Sequence, residues 1–128
     1  MIGALFAQPN YLAARKLLDA TALRHEAIAS NLANIETPNY RRVDLDASFA
    51  TELRQAVAAQ DPARLANLHP VVATDRTAVS SRRDGNTVQL ETELASLNQN
   101  TLAYTVETQL VNGALARLRM AITGRTSA

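Results

Sequence analysis

Few residues in this sequence have the type and spacing to do chemistry. The two histidines, His25 and His69, lie far apart, and neither has an acidic cluster beside it. No cysteine is present, which excludes a thiolate zinc site, a Cys nucleophile and a disulfide scaffold. The four glycines, at positions 3, 85, 113 and 124, are isolated, so no phosphate-cradling loop is formed. Asp44 and Asp46 sit two apart and would share one face of a strand. A paired-carboxylate or metal site could be built there, but a solvated edge is the stronger reading. Arg41-Arg42 follows Tyr40 and could meet a phosphate, yet Asp44 and Asp46 cancel its charge. Arg82-Arg83 reads as a solvated loop pair, and His25 as a helix-packing histidine with a hydrogen bond. No catalytic, metal-binding or cofactor-binding residue is assigned, no cofactor is expected, and an enzyme is the least favoured class.

Composition points the same way. The 128 residues are 47% hydrophobic, but 24 of them are alanine and only five are aromatic. Alanine together with 17 leucines favours helices that pack closely through small side chains. A net charge of +1, from 13 basic and 12 acidic residues, leaves no electrostatic footprint for nucleic acid or an anionic membrane surface. No apolar run approaches the roughly 18 residues of a membrane-spanning helix. Residues 2–7 (IGALFA) are too short for a secretory h-region, so no cleaved signal peptide is expected.

The elements that remain are helices at both ends. From Pro9 to Asn34, Tyr11, Ala14, Leu18, Thr21, His25, Ile28, Leu32 and Ile35 recur at alternating spacings of three and four, a heptad seam. Pro9 suits a first helical turn. From Asn86 to Thr123, Leu90, Leu94, Leu97, Thr101, Tyr104, Thr108, Val111, Leu115, Leu118 and Ile122 continue the same pattern without a break. Asn86 with Gln89 resembles a capping box, and Gly124 stands where a C′ glycine belongs. Glu91 and Glu93 near the start, with Arg117 and Arg119 near the end, complement the helix dipole. Such a seam needs a partner. The expected fold is mainly α, with long N- and C-terminal helices pairing as an antiparallel coiled-coil-like hairpin around a small irregular middle. Leu90, Leu94, Leu97, Tyr104, Val111, Leu115, Leu118 and Ile122 are expected to pair with Tyr11, Leu18, Ile28 and Leu32, and the surplus length to stay exposed for other subunits.

The middle, residues 41–85, is read as a short extended segment at Val43–Asp46, a helix from Ala47 to Gln60, a strand at Val71–Thr74 and a polar, partly mobile loop over 75–86. The chain divides as 1–40, 41–85 and 86–128 within one domain.

One segment is more specific. In Ser30-Asn31-Leu32-Ala33-Asn34-Ile35-Glu36-Thr37-Pro38-Asn39-Tyr40, a helix ends at an asparagine that can hold local backbone. Thr37 is held extended by the following proline. Pro38-Asn39 fits the centre of a turn that needs positive φ at its second residue. This segment resembles the signature of bacterial flagellar rod and hook-family axial proteins, Ala-Asn-x-x-Thr-Pro-Gly-Tyr. It is carried here by Ala33, Asn34, Thr37, Pro38 and Tyr40, with Asn31 upstream and Asn39 in place of the usual glycine. Asp84-Gly85-Asn86 followed by Val88, Leu90 and Glu91 resembles the opening of that family's C-terminal helix, and the ending from Leu102 to Arg119 is most similar to the B-type proximal rod members. The resemblance implies a structural, non-enzymatic role. Subunits would assemble through their terminal helices around an export channel and leave the cytoplasm by the flagellar export route without cleavage. Implied partners are other rod subunits, the adaptor between MS ring and rod, and the export gate at the rod base. Neither nucleic acid, a small-molecule substrate nor membrane insertion is implied. Asn31, Asn34, Thr37, Pro38 and Tyr40 would set the turn and a subunit contact, and the seam leucines the assembly surface. A cytoplasmic helical adaptor or export chaperone is the rival reading; it would form a stable soluble dimer and have no need of the Thr-Pro-Asn-Tyr turn.

Overall fold

A computed structural model describes residues 2–80 and 82–124. Its elements, in chain order, are α1 (Ile2–Phe6), α2 (Pro9–Ala33), β1 (Val43–Leu45), α3 (Ala47–Ala58), α4 (Pro62–Asn67), β2 (Val72–Thr74) and α5 (Leu90–Thr123). The part of the C-terminal segment beyond Gly124 lies outside the described residues.

The fold is the expected one: two long terminal helices paired as an antiparallel hairpin, with a small mixed segment between them. α2 makes its most extensive contacts with α5. Pro9 opens α2 at its first turn, where a missing N–H costs nothing. At the far end the α2 chain stops at Asn34, whose Nδ2 donates to Ser30 O at 2.8 Å. α5 has 34 residues, about 50 Å at 1.5 Å per residue. It closes on Gly124 at φ 62, whose N–H donates to Met120 O at 2.9 Å.

α2 is buried on two sides. Ala20, with Leu12, Ala13 and Leu17 beside it, packs on Phe49, Leu53 and Ala56 of α3, on Leu65 of α4 and on Leu68. This is the hydrophobic core. It forms because α3 repeats its apolar side chains at helical spacing and because caps fix both short helices. Asp46 accepts from Ser48 N at 2.8 Å and Asp61 from Arg64 N at 3.0 Å. β1 and β2 pair antiparallel, with Val43 opposite Thr74 and Leu45 opposite Val72. The other side of α2 meets α5 through Ala14, Thr21, Ile28 and Asn31, all buried.

Three sequence expectations are corrected. Asn86 caps no helix. α5 starts after Gln89, which makes no side-chain cap bond, and the Asn86 amide is spent elsewhere. Arg117 and Arg119 lie before the last turn of α5 rather than in it. Most of the expected α5 seam does not pack on α2, although Leu97, Val111 and Leu118 are half-buried. Leu94 is 46% exposed, Tyr104 50% and Ile122 59%, with Leu90 and Leu115 also exposed. The row that meets α2 is a parallel one: Glu93, Ser96 and Asn100 are buried, and Ala103, Glu107 and Ala114 are half-buried. All the fully buried residues of α5 lie between Glu93 and Asn100, and the leucine row and the polar row share one period on different faces.

Candidate assembly interface

The hairpin presents its outer face through two kinds of structure: a fastening at one end, and the long outward row of α5.

The fastening begins at the motif after α2. Pro38 and Asn39 occupy the centre of a turn closed by Tyr40 N–H donating to Thr37 O at 3.3 Å, and Asn39 adopts φ 60. This left-handed conformation is the one expected for Asn where the family has glycine. Asn34, by contrast, is not left-handed, at φ −105. The second turn, Asp84-Gly85-Asn86, lies directly on the first. Asn39 N–H donates to Asp84 O at 2.8 Å. Gly85 holds φ 75, and a Cβ there would meet Asn39 Oδ1 at 2.8 Å, so close approach and conformation both demand glycine. The Asn86 amide nitrogen then reaches Asn34 O (2.9 Å), Ile35 O (3.1 Å) and Thr37 O (2.8 Å). Its Oδ1 accepts from Val88 N at 2.8 Å. Arg82 adds a bond to Ile35 O at 2.6 Å, so it is no solvated loop residue. The segment that leads into α5 is thereby bonded to the carbonyls of the turn that follows α2.

Beneath this clasp lies a buried polar network. Asn31, fully buried, donates to Val43 O at 2.8 Å and accepts from Val43 N at 2.9 Å, so its amide pairs with β1 as a strand would. It also donates to Glu93 Oε2 at 3.1 Å. Glu93 is fully buried and accepts from Arg42 Nε. Arg42 further binds Asp44 at 2.9 Å and Asp75 at 2.7 Å, and Arg24 binds Asp44 at 2.8 Å. Burial alone would lower the Arg42 pKa, but its bonds to Glu93 and Asp44 hold it above the ordinary value. Burial works to raise Asp44, and the hydrogen bonds and charge of Arg24, the Leu45 N–H and Arg42 outweigh it, leaving Asp44 below its usual 3.8. Asp75 is also low, chiefly through Thr77. Every acceptor here faces a donor, and the cluster holds no spare group aimed at a substrate. Its chemistry is structural.

Asp44 is therefore not a solvated edge residue, whereas Asp46 is an exposed helix cap. His25 is exposed rather than packed. Tyr40 turns back onto α2, its hydroxyl 3.0 Å from Ser30 Oγ and donating to Asn31 Oδ1 at 3.3 Å. Thr37, Pro38 and Asn39 remain exposed beside it, with Asn34 half-buried. The sequence reading missed Glu93, Arg42, Asn86 and Asn100, whose amide donates to Thr21 O at 3.0 Å. One signal for the α5 pair was present: Glu93, Ser96, Asn100, Ala103 and Glu107 repeat at three and four, a second stripe of polar and small side chains beside the leucines.

The outward row is the other structure. Along α5, Leu90, Leu94, Tyr104, Leu115 and Ile122 of this row are exposed and Leu97, Val111 and Leu118 half-buried, while Leu102, Val106 and Leu110, also exposed, lie on the other flank of the helix. Beyond Asn100 no residue of α5 is fully buried. This apolar surface is left uncovered in the single chain. Among the described residues, no group of three or more His, Cys, Asp or Glu could hold a metal ion, and no helix is long and apolar enough to cross a membrane.

No family model matches the chain. Curated relatives do. A protein of Cereibacter sphaeroides is 34% identical over 109 residues, spanning 79% of this chain and 84% of the relative. One of Aquifex aeolicus is 30% identical over 115 residues, spanning 87% and 90%, and one of Borrelia hermsii 27% over 117 residues, spanning 76% and 83%. Each is a flagellar basal body rod protein FlgB. A hairpin of terminal helices, a clasp built on the Thr-Pro-Asn-Tyr turn and this similarity along most of both chains agree: the chain belongs to the FlgB family of flagellar basal body rod proteins, as a structural rather than enzymatic component of the flagellar rod.

Proposed function

We propose that the chain builds the proximal part of the rod by laying the outer row of α5 against neighbouring subunits around the export channel. The observation that carries this reading is the orientation of α5. Its leucine row faces outward from Leu90 to Ile122, while a row of polar and small residues faces α2. Burying that row removes about 25 cal/mol of free energy for each Å² of apolar surface taken from water. The clasp supports the interface by fixing where α5 begins relative to α2, and the exposed edge of the Asn34–Tyr40 turn, with Thr37 and Pro38 at its tip, makes a second contact. Asn31 acts from within, as the residue that holds the turn in place. Neighbours at the base are the adaptor between MS ring and rod and the export gate, and the rod stands in the periplasm.

Leu94→Asp and Leu115→Asp test the reading. Both positions are exposed in the single chain, so the variants fold, but each buries a carboxylate in an assembled rod. Cells carrying either variant are expected to be non-motile, with the chain missing from purified hook–basal bodies. Normal motility and incorporation would show that the outer row is not the interface.

A further inference from the structure

In the α2–α5 seam one hydroxyl stands between two acceptors. The Thr21 hydroxyl, buried where the two helices meet, lies 2.9 Å from Leu17 O in its own helix and within hydrogen-bond distance of Glu107 Oε2. A hydroxyl has one proton to give. If Thr21 donates to Leu17 O, the oxygen of Glu107 beside it must bring a proton of its own. We propose that Glu107 is a proton-dependent latch: it is protonated in the closed hairpin and donates to Thr21 Oγ1, so that pairing of α5 with α2 takes up a proton.

The surroundings suit a neutral acid. Glu107 is half-buried, and that burial favours its uncharged form. Of the ion pairs in the described residues, none reaches it. Besides Glu107, the charged or titratable residues along the two packed helices are Tyr11, Arg15, Lys16, Asp19, Arg24, His25 and Glu26 on α2, and Glu91, Glu93, Tyr104, Arg117 and Arg119 on α5. Of these, Arg24 is committed to Asp44 and Glu93 to Arg42. Position matters as well. Glu107 lies beyond Asn100, the last fully buried residue of α5, where little else fastens the helix.

The sign follows from linkage. A carboxyl raised in the folded state above its ordinary 4.5 contributes stability that is complete below 4.5 and lost as pH rises through the folded midpoint. The latch therefore holds in mild acid and loosens toward neutrality. This inference concerns the single chain and stands whether or not the outer row of α5 is the rod interface.

Carboxyl-carbon NMR of the full chain, with Glu107 assigned by the signal lost in Glu107→Gln, tests it directly. The expected Glu107 midpoint lies clearly above 4.5, and Thr21→Val should lower it, because that change removes an acceptor for the acid's proton. A midpoint at or below 4.5 would overturn the proposal. So would a rise in Thr21→Val, which would show the hydroxyl donating to a carboxylate. Hydrogen exchange over residues 103–118 gives a second readout. Corrected for intrinsic rates, opening there should increase by up to about tenfold per pH unit between 4.5 and the Glu107 midpoint, and become flat in Glu107→Gln. His25→Gln is the control for the imidazole that lies beside Thr21; a pH dependence that vanished with His25 rather than with Glu107 would also refute the latch.

Discussion

The two ends of the α2–α5 hairpin are held by different chemistry. At the closed end, α2 stops, the chain turns through Thr37-Pro38-Asn39-Tyr40, and Asn86 and Arg82 bind carbonyls of the segment that follows α2. Glu93, Arg42, Asp44 and Asn31 are buried or half-buried beneath it. At the open end, α5 runs past Asn100 with no fully buried residue, and Glu107 against Thr21 is its polar contact with α2. The difference teaches how one chain serves as both a folded unit and a part. Directional bonds fix the geometry at one end, and undirected apolar surface is left free along the rest for neighbours.

Substitutions can break this contrast. The largest effect is expected from Arg42→Met. It leaves the fully buried Glu93 without its cation and should cost about 3–5 kcal/mol in urea unfolding. A cost under 1 kcal/mol would show that the network is not what fastens the closed end. Asn86→Ala removes a donor from three carbonyls and should cost about 2–3 kcal/mol. Gly85→Ala should cost about 1–3 kcal/mol, since it places a Cβ 2.8 Å from Asn39 Oδ1 and holds a side chain at φ 75.

These sites also show what the sequence could reveal. The positive φ of Asn39, the cap at Gly124, the bounds of α2 and the pairing segment around Val43 were legible, because each depends on residues within a few positions. The role of Glu93 was not. A glutamate in a first helical turn looks the same whether solvent or Arg42, 51 residues away, faces it. Asn86 misled for a related reason: its spacing to Gln89 fits a local cap, while its partners lie about 50 residues back. Apolar periodicity announced that α5 needs a partner along its leucines but could not say whether that partner is α2 or another chain.

Smaller effects sharpen the comparison by pH. Asp44 sits below its ordinary 3.8 in the folded chain, so its contribution is complete above 3.8 and lost as pH falls through its lower folded midpoint. Hydrogen-exchange protection at Asn31 and Val43 should therefore fail below about pH 3.8, the opposite direction to the Glu107 latch. Smallest of all, Leu94→Asp should change the stability of the free chain by no more than about 0.5 kcal/mol, because its side chain already meets water.

The central claim is that the outer row of α5 is free in the single chain and covered in the rod. The chain has no cysteine, so Leu94→Cys introduces a single reactive thiol on that row. Maleimide labelling of the free chain and of purified hook–basal bodies measures its cover in each. The account predicts ready labelling of the free chain and protection in the basal body. Equal labelling in both would contradict it.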